Sequence, residues 1–204
     1  MGVESSPLPS STRERALGAT ERILEQEGYR GVSMEAVAQG AGIRKASLYH
    51  HFPGGKDELM LATSERFIAR DEVGFGAAIA SSPSATAQLE ALTHWIFSEG
   101  RQTERIIRES VRYMPEAHQK QIGEHFFRRL FKPVHGVLER GVVQGEFRPH
   151  DTEMSTFAFM GLLSEMSRST HLKTSEGVVS RLVNLFVYGV HAPAAQDVLS
   201  RSSG

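Results

Sequence analysis

Cysteine is absent from the 204 residues, so disulfides and thiolate metal sites are excluded. Excess charge of one sign is missing too. The formal net charge is −1, which rules out bulk attraction to a polyanion but not a local basic patch. No apolar run approaches the roughly 20 residues that a membrane-spanning helix needs. The opening MGVESSPLPSS has no basic stretch leading into an apolar core, so it is not a secretory signal. It matches the loose Met-Gly-x-x-x-Ser acylation pattern but is read as a disordered tail. Catalytic signatures are lacking as well: no Ser-His-Asp arrangement is found, so neither enzymatic activity nor a cofactor is expected. Nine histidines raise a metal hypothesis, with His118 and His125 seven apart and Glu124 and His94 as further ligands. No His-x-x-x-His pair or His-Glu-x-x-His motif backs it, and no metal is expected. What remains is a soluble, intracellular, cytoplasmic protein with no membrane partner.

Helical periodicity is what the chain does have, and no alternating strand pattern persists. Ser11 and Glu14 form a Ser-x-x-Glu capping box, and the helix behind it ends at Gly28. Ser33 caps a short second helix that breaks at "GAG". A third runs from about Arg44 to Phe52, stopped by Pro53-Gly54-Gly55, and a fourth from Lys56 to about Arg70. "GFGAAIASSPSAT" is the expected flexible joint. Helices are expected near Thr86–Gly100, Thr103–Met114 and Pro115–Phe131, with Pro133 giving a kink or a new start. After the turn "GEFRPHD" two apolar helices, Thr152–His171 and Gly177–Ala192, close the fold.

The turn in "SLYHHFPGGKDEL" suggests a phosphate loop, but that motif fails at His50 and Asp57, where glycine and a hydroxyl residue are required. A helix-turn-helix accounts for the segment better. Ala38 is small enough for two helices to cross closely, Gly42 can take a left-handed turn, and Leu48 with Phe52 forms an inner face. The outer face pairs Lys45 with Tyr49 and Ala46 with His50, which is the division a recognition helix needs. From Arg30 to Lys56 four cations face Glu35 alone, a local net of +3. Arg44 can reach a phosphate or a guanine edge. A structural interaction module would have no use for that stripe.

"GYRGVSMEAVAQGAGIRKASLYHHFPGGKDELMLA", above all Leu48-Tyr49-x-His51-Phe52 followed by Lys56, resembles the DNA-binding segment of the TetR family of transcriptional regulators. The resemblance covers roughly residues 10 to 60, and the "FPGGK" loop is a residue longer than the commoner spacing. It implies base-edge or nearby contacts for Lys45, Ala46, Tyr49 and His50, and phosphate contacts for Ser47, His51 and Lys56. Ser33 is counted with Arg44 among the DNA-binding residues. The Gly-Gly-Lys turn would bring a helix N-terminus and a cation to the DNA backbone.

In the middle helices His94, Trp95, Arg108, Met114, Phe126, Phe127 and Phe131 are either plain core or the lining of an apolar cavity. The resemblance implies such a cavity, for a small apolar ligand. The closing helices look apolar around nearly their whole circumference, a sign of burial on all sides. That burial lies within one subunit or, as expected, at a homodimer interface containing Phe157, Met160, Gly161, Leu182 and Phe186. The resemblance likewise implies a four-helix interface between two copies. The expectation is an all-α protein: a three-helix helix-turn-helix DNA-binding domain (10–55), a larger ligand-binding and dimerisation domain (56–195), and disordered tails (1–9 and 196–204). Its expected role is a ligand-responsive repressor, its partners a double-stranded DNA operator, a small apolar ligand and a second copy. An activator or ligand-independent regulator of the same fold is the alternative.

Overall fold

The computed structural model describes residues 11–98, 111–167, 169 and 177–190. The expected tails, most of the expected Thr103–Met114 helix, and Arg108 lie outside the described residues. Among those described there are helices and turns but no strand, as the all-α expectation required. In chain order the helices are α1 (Thr12–Gly31), α2 (Met34–Ala41), α3 (Lys45–His51), α4 (Gly55–Ala80) and α5 (Ala85–Ser98). Then follow α6 (Glu116–Phe126), a π-helical turn (Phe127–Phe131), α7 (Lys132–Val143), α8 (Thr152–Ser167) and α9 (Val178–Val190). The chain forms two compact units, divided inside α4: residues up to 68 with 102–125, and 69–101 with 126 onward.

In the first unit the Ser11 hydroxyl accepts from the Glu14 amide at 3.1 Å. The Glu14 carboxylate pairs with Arg66 of α4, whose Nε also meets Glu21 at 2.9 Å. Ala16, Leu17, Ala19, Thr20 and Leu24 line the buried side of α1. Gly28 breaks the helix with φ 69° and ψ −169°, and Tyr29–Gly31 add one further turn. Leu17, Val37, Leu48, Phe52, Leu59 and Met60 are almost wholly buried and make the core that α1, α2 and α3 share with the start of α4. Each such side chain contributes roughly 1.5–3 kcal/mol of apolar burial.

In the second unit α5 packs against α7, α8 and α9. The expected joint "GFGAAIASSPSAT" is helical up to Ala80, a correction with a packing reason. Gly74 is there because the Trp95 ring occupies the space a β-carbon would take, and Phe75 is buried edge-on to the same ring at 5.7 Å. The glycine serves close approach rather than flexibility. Pro133 sits in the first turn of α7, which begins at Lys132 directly after the π-helical turn, so a new helix starts there, one of the two expected outcomes.

"GEFRPHD" is a turn, and it does structural work on two sides. Phe147 is buried against Gly141, where its ring fills the place of a β-carbon. Glu146 caps α5: its carboxylate accepts from the Ala85 amide at 2.8 Å, the Thr86 amide at 3.1 Å and the Ser84 hydroxyl at 3.0 Å. Burial opposes its charge, but these hydrogen bonds prevail and hold its pKa below the ordinary value of 4.5. Stability from this group is therefore present above the ordinary carboxylate value and lost as pH falls through the lowered one. Glu146→Ala should lower the unfolding free energy by about 1 kcal/mol, the usual worth of a helix cap, in urea denaturation at neutral pH. The gap between the two proteins should close as the pH is lowered through the carboxylate range.

Candidate nucleic-acid interface

The outward face of α3 is built by the turn before it. Gly42 takes the left-handed conformation (φ 62°, ψ 40°). Its amide donates to the Gln39 carbonyl at 3.1 Å, and the Ile43 amide to that of Ala38 at 3.0 Å. These bonds satisfy the last carbonyls of α2 and turn the chain sharply. Ala38 is buried at the helix crossing, Leu48 is fully buried beneath α3, and Phe52 follows it. Arg44, Lys45, Ala46, Tyr49, His50 and His51 are all exposed, and Ser47 is half-buried. Ser33 caps α2, accepting from the Ala36 amide at 3.1 Å.

Two of the cations are already engaged. Lys45 pairs with Glu35 of α2 at 2.9 Å, and the hydrogen bond and charge of Glu35 raise its pKa. Sequence reasoning counted Glu35 only as one negative charge. The signal was there, since a helix-turn-helix sets the first turn of its first helix beside the first turn of its second. Lys56, expected at a phosphate, is turned back onto α1 instead. Its ammonium donates to the Tyr29 carbonyl at 3.0 Å and lies 3.8 Å from the Tyr29 ring centre. Burial lowers its pKa, against the opposing pull of Asp57. The Gly54 amide at the head of α4 donates to Glu58 at 2.7 Å, and Asp57 and Glu58 make that first turn acidic. The Gly-Gly-Lys turn is thus satisfied by its own chain and, as it stands, offers a phosphate neither a free amide at Gly54 nor a free ammonium at Lys56.

The expected cavity residues that are described fall in both units. His94 is exposed, Trp95 packs on Gly74 and Phe75, Met114 is buried in the first unit, and Phe126 is half-buried. Phe127 is partly exposed and stacks on buried Phe131 at 5.0 Å, and Phe131 meets Phe157 at 4.3 Å. Within the chain the closing helices are not buried on all sides. In α9 Val178, Leu182, Val183 and Val187 are buried within the chain, so Leu182 offers no surface to a partner. Phe186 is half-buried against Phe159 at 5.0 Å. The outward apolar residues are Leu185 and Tyr188, with Met154, Phe157, Ala158 and Gly161 along α8, and Ser180, Arg181, Asn184, Glu153 and Glu165 are exposed beside them. Met160 is half-buried. Among the described residues no His/Cys/Asp/Glu group is arranged to hold a metal, and no helix is long and apolar enough to cross a membrane.

Two family models match. Residues 16–63 match "Bacterial regulatory proteins, tetR family", and residues 84–168 match "Tetracyclin repressor-like, C-terminal domain". Together they span well over half of the sequence, and the chain belongs to the TetR family. It is 40% identical over 50 residues to the HTH-type transcriptional regulator LmrA of Bacillus subtilis, covering 24% of this chain and 27% of that protein. To the regulator EthR of Mycolicibacterium smegmatis it is 33% identical over 84 residues, covering 41% and 38%. The matches therefore span about a quarter to two fifths of these relatives' own length. The fold resembles that of the transcriptional regulator FadR from Bacillus subtilis, solved with stearoyl-CoA, with a TM-score of 0.74 at 17% identity over 87% of this chain and 98% of that one.

If Lys45 is held back from DNA by its carboxylate, Glu35→Gln should bind any duplex more tightly. Its log-affinity should also fall more steeply with log salt, by up to about one unit. Fluorescence anisotropy with a labelled duplex across a salt series measures both.

Proposed function

We propose that this protein is a transcriptional repressor that binds a palindromic operator as a homodimer and leaves it when a small apolar ligand binds. The observation that carries DNA binding is the division of α3. Leu48 is fully buried on one side, while Arg44, Lys45, Ala46, Tyr49 and His50 stand exposed on the other. On this reading Lys45, Ala46, Tyr49 and His50 meet base edges, Ser47, His51 and Ser33 meet phosphates, and Arg44 reaches either. Two copies would set their recognition helices one DNA turn apart, roughly 34–36 Å, and a protein so placed occludes a promoter.

Dimerisation is supported by the outward stripe of α8. Met154, Phe157, Ala158 and Gly161 follow the i, i+3, i+4, i+7 spacing of one helix face, with Met154 64% and Phe157 54% exposed. Leu185 and Tyr188 of α9 are 69% and 74% exposed. A β-carbon on Gly161 would meet nothing, so a second helix can approach closely there. For the ligand, the support is the Phe127–Phe131–Phe157 aromatic cluster and the stearoyl-CoA bound by the similarly folded FadR. An apolar ligand preferring the conformation with the wrong half-site spacing would release the DNA.

The experiment is selection of genomic fragments by the purified protein, followed by mobility shifts on the winning site. Tyr49→Ala and Lys45→Ala should each weaken operator binding by about 1–3 kcal/mol, the usual worth of a good base contact, while the protein stays folded and dimeric. Equal affinity for both variants and the parent would remove α3 from the interface. Leu185→Glu and Phe157→Glu should sediment as monomers with unchanged helical circular dichroism and lose operator affinity. If both remain dimeric, the subunit contact lies on another surface.

A further inference from the structure

Lys56 is one end of a stack that the DNA-binding reading does not use. Its ammonium sits on one side of the Tyr29 ring, and the Tyr113 ring lies parallel to Tyr29, at 4.9 Å between centres and 18° between planes. The Tyr29 hydroxyl donates to the Tyr113 backbone carbonyl at 3.4 Å. The Arg112 guanidinium is 5.7 Å from the Tyr113 ring centre. Two stacked rings and two cations thus lie together in the first unit, beside an open cleft of about 240 Å³ lined by Glu27, Gly28, Tyr29, Arg30, Arg112 and Tyr113.

The stack joins three pieces of chain. Tyr29 belongs to the extra turn after the break at Gly28, Lys56 to the first turn of α4, and Tyr113 to the segment entering α6. A lysine on the carbonyl at the end of a helix is favourable, because that end carries partial negative charge. Here the bond also fixes where α1 ends relative to where α4 begins, and α2 and α3 lie between those points in sequence. The third piece is itself held on its downstream side. Met114 is buried, and its carbonyl accepts from the Gln119 side chain at 2.9 Å. Further along α6, Gln121 donates to Glu65 of α4 at 2.8 Å, and the His125 ring lies 3.4 Å from the same oxygen.

We propose that Tyr113 is a positioning residue for DNA binding: by stacking on Tyr29 it keeps Lys56 on the α1 carbonyl, and so lets the segment entering α6 set the placement of the recognition helix. This rests on the DNA-binding reading and adds the route by which it is regulated. Lys56 acts as a pin between helices, not as a phosphate ligand. Any change that draws the segment entering α6 away from α1 removes Tyr113 from the stack, loosens the pin and lowers operator affinity with no base-contacting residue replaced.

The test uses the full chain and its selected operator duplex, with affinity measured across a salt series for the parent, Tyr113→Ala, Tyr113→Phe, Lys56→Met and the double variant Lys56→Met/Tyr113→Ala. Tyr113→Ala should weaken binding roughly three- to tenfold, the range set by one aromatic pair. Tyr113→Phe should bind like the parent, because its hydroxyl takes no part in the stack. Lys56→Met should lose affinity with an unchanged salt slope, and the double variant should be no weaker than the worse single one, as for residues acting through one contact. Amide hydrogen exchange without DNA should be faster across residues 45–52 in Tyr113→Ala and unchanged in Tyr113→Phe. A slope flattened by about one unit in Lys56→Met would make Lys56 a phosphate ligand and overturn the pin. Parental affinity in Tyr113→Ala would overturn it as well. A parent protein that selects no duplex at all would instead sink the DNA-binding reading.

Discussion

The left-handed backbone at Gly42 is the constraint on which the outward surface of α3 depends. A β-carbon there would touch no neighbour, so the demand is made by the backbone and not by lack of space. A residue with a side chain would take that conformation at a cost of roughly 1–2 kcal/mol. Without the turn, the Ile43 amide could not close onto Ala38, and α3 would not begin where it does. Leu48 would then lose its seat in the core, and Tyr49 and His50, its immediate successors, would lose their outward direction. The polar stripe is therefore a consequence of one torsion angle and one buried leucine. The side chains that would read DNA contribute little to holding α3 in place.

Charge is distributed with similar economy. The chain is nearly neutral, and of the four cations between Arg30 and Lys56 one is paired with Glu35 and another is bound to a helix end. Attraction to DNA would thus fall to fewer free charges than the sequence suggests. A protein arranged in this way depends on fitting the right site, since a general positive field would hold it on any duplex. The acidic first turn of α4 acts in the same sense, because Asp57 and Glu58 discourage a phosphate from settling on that helix.

The helix-turn-helix was legible because its rules are local: Ser33 caps, Gly42 turns, and Leu48 lies inside at helical spacing. The all-α class and the placing of most helices followed from the same periodicity. Lys56 was not legible in this way, since its partner Tyr29 is 27 residues back and a lysine at a helix start suits a phosphate equally well. Gly74 looked like a joint because sequence cannot distinguish a glycine needed for bending from one needed for closeness to Trp95. In α9 the apolar composition was plain, but its division was not. Leucines occupy both faces, so only the packed chain shows that Leu182 lies inside and Leu185 outside. The expected cavity residues were chosen by residue type, and type does not say which aromatic faces which neighbour.

The turn between α7 and α8 resembles a surface connection of the kind that accepts insertions and deletions freely. Its adjacent residues face opposite tasks, however. Glu146 closes the head of α5, and Phe147 fills the place kept open by Gly141. A substitution would disturb one of these, whereas a one-residue deletion just before them would shift both at once, sending the phenyl ring toward the bare amides and the Arg148 guanidinium toward an apolar seat. Length, more than composition, is what this loop must preserve. The count from Gly141 to Phe147 is fixed by the two helices it serves, α5 and α7.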